Sequence, residues 1–342
     1  MVTNICYMND FLFVFGTRPE WLKIKPILEK LGEGNYKLLF TGQHPDLLKD
    51  ISVNYHILIN DNGTSRLDQL VYNCISQFPN DKFSGVLVQG DTASAFACSI
   101  AAFHRSLKIF YLEAGLRSYN LNHPFPEEGY RQMIARIADV NFAPTDLSKS
   151  NLEAERVNGK TFVVGNTILD NLVKYKQGLY GNDVLVTLHR RENHNCIEEW
   201  FHEIEKLAQC HPELNFILPI HPNPNVYVHR NLLNKVKVVE PLTHHNTIEL
   251  IRNCKTIITD SGGLQEEGSF FNKKVIVCRL TTERPEGIST GHLYLCKSPD
   301  HLAKMFESVL IEPNVSNPCP YGDGNASQKI VNIIRDELFL LS

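Results

Sequence analysis

The sequence lacks the usual signals for nucleic-acid binding, membrane insertion and export. Its 34 Lys and Arg residues stand against 38 Asp and Glu residues, and the net charge of −4 gives no reason to expect a nucleic-acid partner. No apolar stretch reaches the length of about 18 residues that a membrane-spanning helix needs, so no membrane partner is expected. The N-terminal segment has no basic flank, and Asn9 and Asp10 interrupt its apolar run, so we do not expect a signal peptide.

Signals for metals and common cofactors are also missing. The nine cysteines form no C-x-x-C pair, which argues against zinc and a dithiol switch and is typical of reduced core residues in a cytoplasmic protein. His244 and His245 lack a third ligand at a suitable spacing, so we predict no metal site and place them at the approach to a helix. Neither G-x-G-x-x-G in the first strand–helix turn nor G-x-x-x-x-G-K-[ST] is present, which argues against hydride transfer and ATP chemistry.

Short apolar runs alternate with segments of helical period along most of the chain. Such runs predict strands that are buried on both faces, and their alternation with helices predicts right-handed βαβ units with parallel sheets. The first series of runs covers 11–15, 36–41, 85–89, 107–112, 140–144 and 161–165, and the second covers 184–188, 215–220, 236–240, 256–259 and 274–278.

A break near residues 176–183 separates the two series, and 342 residues are enough for two domains. The composition, 43% hydrophobic and 21% charged, is that of an ordinary globular protein. We therefore predict an α/β fold with one doubly wound Rossmann-like domain in residues 1–175, a second in residues 176–324, and a final amphipathic helix in residues 325–342.

Small and polar residues directly follow many of the predicted strands. In open parallel sheets, ligands bind at the carboxyl ends of the strands, so this pattern predicts a ligand-binding edge in each domain. If the two edges face each other, they form one cleft between the domains. The residues concerned include Gly16, Thr17, Arg18, Gly90, Asp91, Glu113, His189, His221 and Ser261.

Several of these positions also have a purely structural explanation. The stretch "GTRPE" suits a capped helix start with Pro19 in the first turn. Asp91 suits the cap of the helix that follows it, and Glu113 suits an ion pair with Arg117. The concentration of such residues at one predicted edge favours a functional interpretation.

The stretch "TIITDSGGLQEEGSFF" has the strongest ligand-binding pattern. A buried strand leads into Ser261, Gly262 and Gly263, whose amide groups at a helix N-terminus are suited to bind a diphosphate. One turn later, a glutamate can accept hydrogen bonds from ribose hydroxyls. Glu266 and Glu267 differ by about 100° around a helix, so we predict that one faces the ligand and the other pairs elsewhere.

The motifs together resemble those of the non-hydrolysing UDP-N-acetylglucosamine 2-epimerases. They occur in the family's order between residue 11 and about residue 292: "FGTRPE..K", "TGQH", "QGDTAS", "EAGLRS", "PFPEE..R", "GNTILD", "HRREN", "HPNPNV", "TDSGGLQEE" and "TTERPEG". The resemblance implies a GT-B fold, with UDP held mainly by the C-terminal domain and catalytic carboxylates supplied mainly by the N-terminal domain. It also implies a final helix that packs back on the N-terminal domain, a homodimer, and a place in polysaccharide biosynthesis.

The resemblance further implies roles for individual residues. The implied catalytic residues are Asp91, Glu113, Glu127 and His189, and the implied substrate-binding residues are Arg18, Lys23, Ser261, Gly262, Gly263, Glu267 and Arg284. Gln43 and His44 match part of a stretch with which bacterial members bind a second UDP-N-acetylglucosamine as an activator. Pro45 and Asp46 depart from that stretch, so we expect such activation to be reduced or absent.

The activity implied is the interconversion of UDP-GlcNAc and UDP-ManNAc, by elimination of UDP to 2-acetamidoglucal and re-addition. This chemistry needs an acid/base on each face of C2, hence several carboxylates, and donors at the departing diphosphate. It needs no cofactor.

Three alternatives remain open: an epimerase of a related UDP-2-acetamido-6-deoxy-hexose, a UDP-sugar glycosyltransferase and a nucleotide-sugar sensor. The carboxylate set argues against the last two.

Overall fold

Two parallel β-sheets with interleaved helices organise the chain. The computed structural model describes residues 10–59, 65–176, 178 and 180–339. The first nine residues, where no signal peptide was predicted, lie outside this part, as do two residues of the predicted interdomain break and the last three residues of the predicted final helix. The described chain forms two units: the first runs to Asn171 and resumes at Gly322, and the second comprises Leu172–Tyr321.

The sheet of the first unit has seven strands, all paired in parallel. Their order is β3-β2-β1-β4-β5-β6-β7, so the direction of winding reverses between β1 and β4. Ligand crevices form at such switch points. Every residue of β1 and β4 is buried, which explains why these strands are continuous apolar runs in the sequence. The strands are β1 (Phe11–Phe15), β2 (Lys37–Phe40), β3 (Tyr55–His56), β4 (Gly85–Gln89), β5 (Ile109–Leu112), β6 (Val140–Ala143) and β7 (Lys160–Val163).

The sheet of the second unit has six parallel strands with the same pattern of winding. Its order is β10-β9-β8-β11-β12-β13, which places the switch point between β8 and β11. The strands are β8 (Asp183–Thr187), β9 (Asn215–Pro219), β10 (Lys237–Val239), β11 (Thr256–Thr259), β12 (Val275–Cys278) and β13 (Leu293–Cys296).

The predicted fold class, α/β with doubly wound parallel sheets, is confirmed. Every predicted strand is present, with ends that differ by at most one or two residues. Strands β3 and β13 were not predicted from the sequence. Both lie at a sheet edge. β3 has only two residues, whereas β13 is an apolar run of four residues, as long as β12, which the pattern used for the other strands could have found.

Twelve α-helices and five short 3₁₀ segments connect the strands of the described residues. None of these helices combines the length and the apolar character needed to cross a membrane. The α-helices are α1 (Arg18–Leu31), α2 (Arg66–Ser76), α3 (Ala93–His104), α4 (Glu127–Ile137), α5 (Asp146–Ala154), α6 (Ile197–Cys210), α7 (Pro224–Tyr227), α8 (His244–Asn253), α9 (Gly262–Phe270), α10 (Glu286–Ser289), α11 (Leu302–Ile311) and α12 (Ala326–Phe339). The 3₁₀ segments are Pro45–Asp50, Thr167–Asn171, Arg191–Cys196, Val228–Leu232 and Pro299–His301.

Local capping decides where two helices of the first unit begin. At α1, the Thr17 hydroxyl accepts a hydrogen bond from the N–H of Glu20, and the Glu20 carboxylate accepts one from the N–H of Thr17. The interpretation of "GTRPE" as a capped helix start is therefore confirmed. The interpretation of Asp91 as a cap is wrong, because the Thr92 hydroxyl caps α3 by accepting from the N–H of Ala95 at 3.0 Å.

The final helix, α12, belongs to the first unit. Its residues Ile330, Val331 and Ile334 are fully buried in the core that also contains residues of β1 and α1. The Asp170 carboxylate accepts hydrogen bonds from the first backbone N–H groups of this helix, at 2.7 Å from the nitrogen of Ser327. The units change over at Asn171–Leu172 and Tyr321–Gly322, a few residues before the predicted boundaries at 175 and 324.

A histidine bridges two carboxylates in the second unit. His211 follows α6, and its Nδ1 lies 3.0 Å from Glu213 Oε1 while its Nε2 lies 2.8 Å from Glu307 Oε1 of α11. Partial burial acts to lower the pKa of His211, but hydrogen bonds to the two carboxylates outweigh it, and the pKa is raised. Protonated His211 therefore favours the folded state.

We expect this bridge to make the stability of the second unit depend on pH. Because the pKa of His211 is higher in the folded state, its contribution is fully present below the unfolded histidine pKa of about 6.5 and disappears as the pH rises through the folded pKa. His211→Gln should therefore lower the thermal midpoint more at acidic than at alkaline pH. His202→Gln, at an exposed position of α6, is the control. Equal losses for His211→Gln at every pH would contradict the expectation.

Candidate active site

Glu113 lies in a cage of hydrogen-bond donors at the carboxyl end of the first sheet. It directly follows β5 and is buried. Lys23 of α1 places its Nζ 2.6 Å from Glu113 Oε1, and the Asn166 amide donates to the same oxygen at 3.2 Å. The amide of Gln89, the last residue of β4, donates to Glu113 Oε2. The carboxylate is thus held at the strand ends by donors from three other segments.

Arg117 is not the partner of Glu113, so that suggested pairing is wrong. The guanidinium of Arg117 makes two hydrogen bonds to Glu155, with nitrogen–oxygen distances of 2.7 and 2.8 Å. Gly115, at φ +89°, turns the chain between the two residues. Arg117 is therefore directed to the end of α5 rather than back to the strand end.

The backbone at Glu113 adopts a conformation that is costly for a residue with a side chain. Its φ of +67° lies in the left-handed region, which costs a non-glycine residue about 1–3 kcal/mol and is commonest at functional sites. Gly90, which follows β4, has a similar φ of +69°, and a Cβ there would lie 3.4 Å from Glu113 Oε2. Two neighbouring strand ends therefore turn sharply around this carboxylate.

Asp91 pairs with an arginine that the sequence analysis did not single out. Arg131 of α4 is buried and donates to Asp91 Oδ2 from Nε at 2.9 Å and from Nη2 at 2.5 Å. The third guanidinium nitrogen of Arg131 lies 3.3 Å from Glu128 Oε2. The side chain of Asp91 is 31% exposed, so it remains accessible to a ligand while Arg131 fixes its position.

The two glutamates at the start of α4 differ in their surroundings. Glu128 is fully buried and accepts hydrogen bonds from the N–H groups of Ser118 at 2.9 Å and Tyr119 at 3.2 Å. Glu127 Oε2 is also buried, but it makes no hydrogen bond within the described residues. A buried carboxylate oxygen without a partner is costly. Glu127 therefore has an acceptor oxygen that a ligand could use, whereas the acceptors of Glu128 are occupied by backbone N–H groups.

Three further predicted residues of the first unit lie near the end of β1. Arg18 is exposed at the start of α1. Gln43 accepts a hydrogen bond from the Ser94 hydroxyl at 2.7 Å, and the N–H of His44 donates to the carbonyl of Gly16 at 2.8 Å. Burial, and then the nearby Arg66 and Arg18, lower the pKa of His44.

The "SGG" stretch of the second unit forms the start of α9, as predicted from its glycines. Ser261 is the N-cap residue, and its hydroxyl makes no capping hydrogen bond. The first N–H groups of a helix have no partner inside the helix. A Cβ on Gly263 would meet no atom within 4 Å, whereas a Cβ on Gly262 would lie 2.8 Å from Arg284 Nη1. The Cβ position of Gly263 is therefore open, whereas that of Gly262 is filled by the guanidinium of Arg284.

Five buried or largely buried charges of alternating sign support this helix start. Glu192 Oε1 lies 2.6 Å from Arg279 Nε, and Arg279 Nη1 lies 2.9 Å from Glu283 Oε2. Glu283 Oε1 and Glu266 Oε1 each lie 2.6 Å from Arg284. This buried ion chain connects the "HRREN", "TTERPE" and "SGGLQEE" motifs. Arg284, predicted to bind substrate, is held by two carboxylates and lies against the helix start.

Glu266 and Glu267 take different roles on α9. Glu266 is 1% exposed and pairs with Arg284 within the ion chain. Glu267 is 7% exposed, and its Oε1 lies 3.4 Å from Nε2 of His244, the first residue of α8. Glu267 therefore has the weaker contact and the greater freedom to accept hydrogen bonds from a ligand.

His189 lies at the switch point of the second sheet, beside Asp260. Asp260 Oδ2 accepts hydrogen bonds from the N–H groups of His189 at 2.9 Å and Arg190 at 2.8 Å, and from the Asn193 amide at 3.0 Å. The His189 ring stacks on that of His221, with centroids 5.1 Å apart. Burial lowers the pKa of His189, and the opposing effect of Asp260 does not overcome it, which favours the neutral ring.

Residues that the sequence analysis missed fall into two groups. The first group lies at or just after strand ends and comprises Gln89, Asn166 and Asp260. The strand-end pattern would have found these residues if amides and buried acids had been counted as well as exposed charges. Arg131 and Glu283 stand inside the quoted motifs "PFPEE..R" and "TTERPEG", but no role was assigned to them, because their partners Asp91 and Arg279 lie outside those motifs. Within the described residues, no group of three His, Cys, Asp or Glu side chains is arranged to hold a metal ion.

The two adjacent glycines of α9 provide a matched test of the helix start. We expect Gly262→Ala to lower the free energy of unfolding of the second unit by about 1–3 kcal/mol, because its Cβ would collide with the fixed guanidinium of Arg284. Gly263→Ala should be neutral or stabilising by up to about 1 kcal/mol, because its Cβ enters open space and alanine favours helix. Calorimetry of thermal unfolding measures the effect of each substitution. Equal effects of the two substitutions would contradict the expectation that the ion chain constrains Arg284.

Comparison with known proteins gives a consistent match. The family described as UDP-N-acetylglucosamine 2-epimerase matches residues 28–335. A UDP-N-acetylglucosamine 2-epimerase of Bacillus subtilis is 36% identical over 361 residues, which cover 93% of this chain and 93% of that protein.

Solved structures agree with the sequence match. The structure of UDP-GlcNAc 2-epimerase from Neisseria meningitidis bound to UDP-GlcNAc is 33% identical with a TM-score of 0.84, over 95% of this chain and 99% of that chain. The enzyme from Methanocaldococcus jannaschii in complex with UDP-GlcNAc and UDP is 28% identical with a TM-score of 0.80, over 95% of this chain and 99% of that chain.

Proposed function

The chain belongs to the UDP-N-acetylglucosamine 2-epimerase family, and on that premise we propose that it interconverts UDP-GlcNAc and UDP-ManNAc. Relatives of similar sequence and fold have been solved with UDP-GlcNAc or UDP bound. The chain supplies both kinds of group that the reaction needs: carboxylates at the strand ends of the first unit, and an open helix start in the second.

The second unit binds the UDP part of the substrate in this proposal. The free N–H groups at the start of α9 hold the diphosphate, supported by the partial positive charge at a helix N-terminus. Open space at Gly263 supports this assignment, since an oxygen atom can approach the backbone there. Glu267 accepts the ribose hydroxyls.

The first unit supplies the acid/base groups. Proton loss from C2 to a carboxylate leaves an electron pair that forms the C1–C2 double bond, while the C1–oxygen bond breaks and UDP departs. UDP then adds back to C1 of 2-acetamidoglucal as a proton is delivered to the other face of C2. We assign the acid/base role above all to Glu127, because its buried oxygen makes no hydrogen bond within the described residues and is available to take or give a proton. Asp91 and Glu113, at adjacent strand ends, are the other proposed acid/base groups.

Charge develops on the diphosphate as it departs, and donors already in place stabilise it most effectively. We assign this role to the amides of Gly262 and Gly263, to His189 and to Arg18, with Arg284 supporting the helix start from behind. Lys23 holds Glu113 and completes the set of basic residues. We also propose that the enzyme acts as a cytoplasmic homodimer, as the family resemblance implies.

Hydrogen exchange at C2 tests the reaction directly. Because each turnover removes the C2 proton, product formed in heavy water should carry one deuterium at C2 and none elsewhere on the ring, as read by NMR. Glu127→Gln should slow the exchange by about 10²–10⁴-fold while UDP binding remains, since the loss is confined to proton transfer.

The same assay separates the alternatives. Epimerised product that keeps protium at C2 would overturn the elimination route. Exchange with a UDP-2-acetamido-6-deoxy-hexose, but not with UDP-GlcNAc, would reassign the substrate. Transfer of the sugar to an acceptor without exchange at C2 would instead identify a glycosyltransferase.

The assignment of the ribose site is tested separately by binding. Glu267→Ala should weaken UDP binding by about 1–3 kcal/mol, because hydrogen-bonding groups of the ligand lose their acceptor. Titration calorimetry with UDP measures this loss, and Glu198→Ala on the exposed face of α6 is the control. Unchanged affinity in Glu267→Ala would place the ribose elsewhere.

A further inference from the structure

The two carboxylate oxygens of Asp260 have different surroundings. Asp260 is completely buried at the end of β11. Its Oδ2 accepts three hydrogen bonds, from the N–H groups of His189 and Arg190 and from the Asn193 amide. Its Oδ1 is equally buried, but it makes no hydrogen bond within the described residues. One oxygen therefore anchors the loop after β8, and the other has an acceptor position still to fill.

The His189 ring supplies a matching donor. Its Nδ1 lies 3.4 Å from Asp260 Oδ1, slightly beyond an ordinary hydrogen-bond length. A neutral imidazole carries its hydrogen on one nitrogen only. With the hydrogen on Nδ1, a small rotation of the ring satisfies Oδ1. With the hydrogen on Nε2, lone pairs of Nδ1 and Oδ1 face each other inside the protein, which is unfavourable.

We propose that Asp260 is a positioning residue that holds His189 as the Nδ1–H tautomer and leaves Nε2 as the nitrogen presented to a bound diphosphate. Stacking on His221 restricts the plane of the ring, with an angle of 10° between the two rings. The side chain of His189 is 32% exposed, so the ring is accessible on the side away from Asp260. The tautomer is a property of the free protein, whereas its use in catalysis rests on the proposed function.

Asp260 also prepares His189 to become positively charged. Burial, Arg190, His221 and His194 all lower the pKa of His189, and Asp260 alone among these groups raises it. The negative charge of a bound diphosphate acts in the same direction as Asp260. Binding of UDP should therefore bring a proton from solvent onto Nε2, which then donates a charge-assisted hydrogen bond to the diphosphate.

Two substitutions separate orientation of the ring from anchoring of the loop. In Asp260→Asn, the amide oxygen can still accept from the N–H groups of His189 and Arg190, while the NH₂ group replaces Oδ1 and donates to Nδ1. The preferred tautomer is then reversed. In Asn193→Ala, one anchoring hydrogen bond to Oδ2 is lost, but the contact between Oδ1 and His189 is untouched.

The tautomer can be read from ¹⁵N–¹H NMR correlations of the histidine rings in the full-length protein, with the His189 signals identified by their absence in His189→Gln. We expect Nδ1–H in the wild-type protein and in Asn193→Ala, and Nε2–H in Asp260→Asn. Nε2–H in the wild-type protein would overturn the proposal, even if the Asp260 variant failed to fold. An unchanged tautomer in folded Asp260→Asn would also overturn it.

Binding and kinetics test the consequence. Calorimetric titration with UDP in buffers of different ionisation enthalpy should reveal proton uptake in the wild-type protein and little or none in Asp260→Asn. Epimerisation by Asp260→Asn should fall by about 10²–10⁴-fold with a changed pH profile, as when a buried aspartate no longer sets the tautomer of a catalytic histidine. Equal proton uptake and the same pH profile in both proteins would contradict the proposal and show that Asp260 only anchors the loop after β8. If the wild-type chain epimerises no UDP sugar, the proposed function fails, and the NMR result still decides the tautomer.

Discussion

The reversal of strand order at the centre of each sheet is the constraint on which both candidate sites depend. Strands on either side of a switch point send their connections to opposite faces, so the chain leaves a crevice at their carboxyl ends. In the first sheet this point lies between β1 and β4, and in the second between β8 and β11. Residues that follow these strands, such as Asp91 in the first unit and His189 in the second, therefore lie at the switch point of their own sheet.

Charged groups at these edges are close to the apolar cores of the sheets, and the cost of burying an unpaired charge shapes their surroundings. Most of them are paired: Glu113 with Lys23, and the members of the buried ion chain with one another. Against this background, the oxygens Glu127 Oε2 and Asp260 Oδ1 stand out, because both are buried and neither makes a hydrogen bond within the described residues. The same physical rule thus distinguishes carboxylates that are fully paired from carboxylates that have an acceptor position still to fill.

The two units share one sheet topology but carry different groups at the strand ends. In the first, the strand ends carry carboxylates, and the left-handed backbone at Glu113 and Gly90 turns the chain tightly around one of them. In the second, the strand after the switch point leads into a helix whose first amides receive no capping hydrogen bond from the Ser261 side chain, and the ion chain holds the neighbouring motifs around that helix start. In the proposed function, the acid/base groups therefore come from the first unit and the anion-binding groups from the second.

Sequence alone determined most of the strands, two helix starts and the strand-end positions of the candidate site residues. Strands buried on both faces must be apolar throughout, so runs such as 11–15 and 256–259 identify themselves, and glycines beside Ser261 mark an open helix start. Local capping at Thr17 was likewise visible, because its partner Glu20 is three residues away. These features depend on interactions within one turn or one strand.

Only the tertiary structure decided which side chains meet. Glu113 pairs with Lys23, 90 positions earlier, and with Asn166, 53 positions later, whereas the nearer Arg117 turns away to Glu155. The order of strands in the sheet sets such pairings, and that order is not encoded in the spacing of any motif. The sequence therefore located the edges of the two sheets, but long-range packing decided which carboxylates are paired and which keep an oxygen without a hydrogen bond among the described residues. Burial and pairing exist only after the strands have assembled.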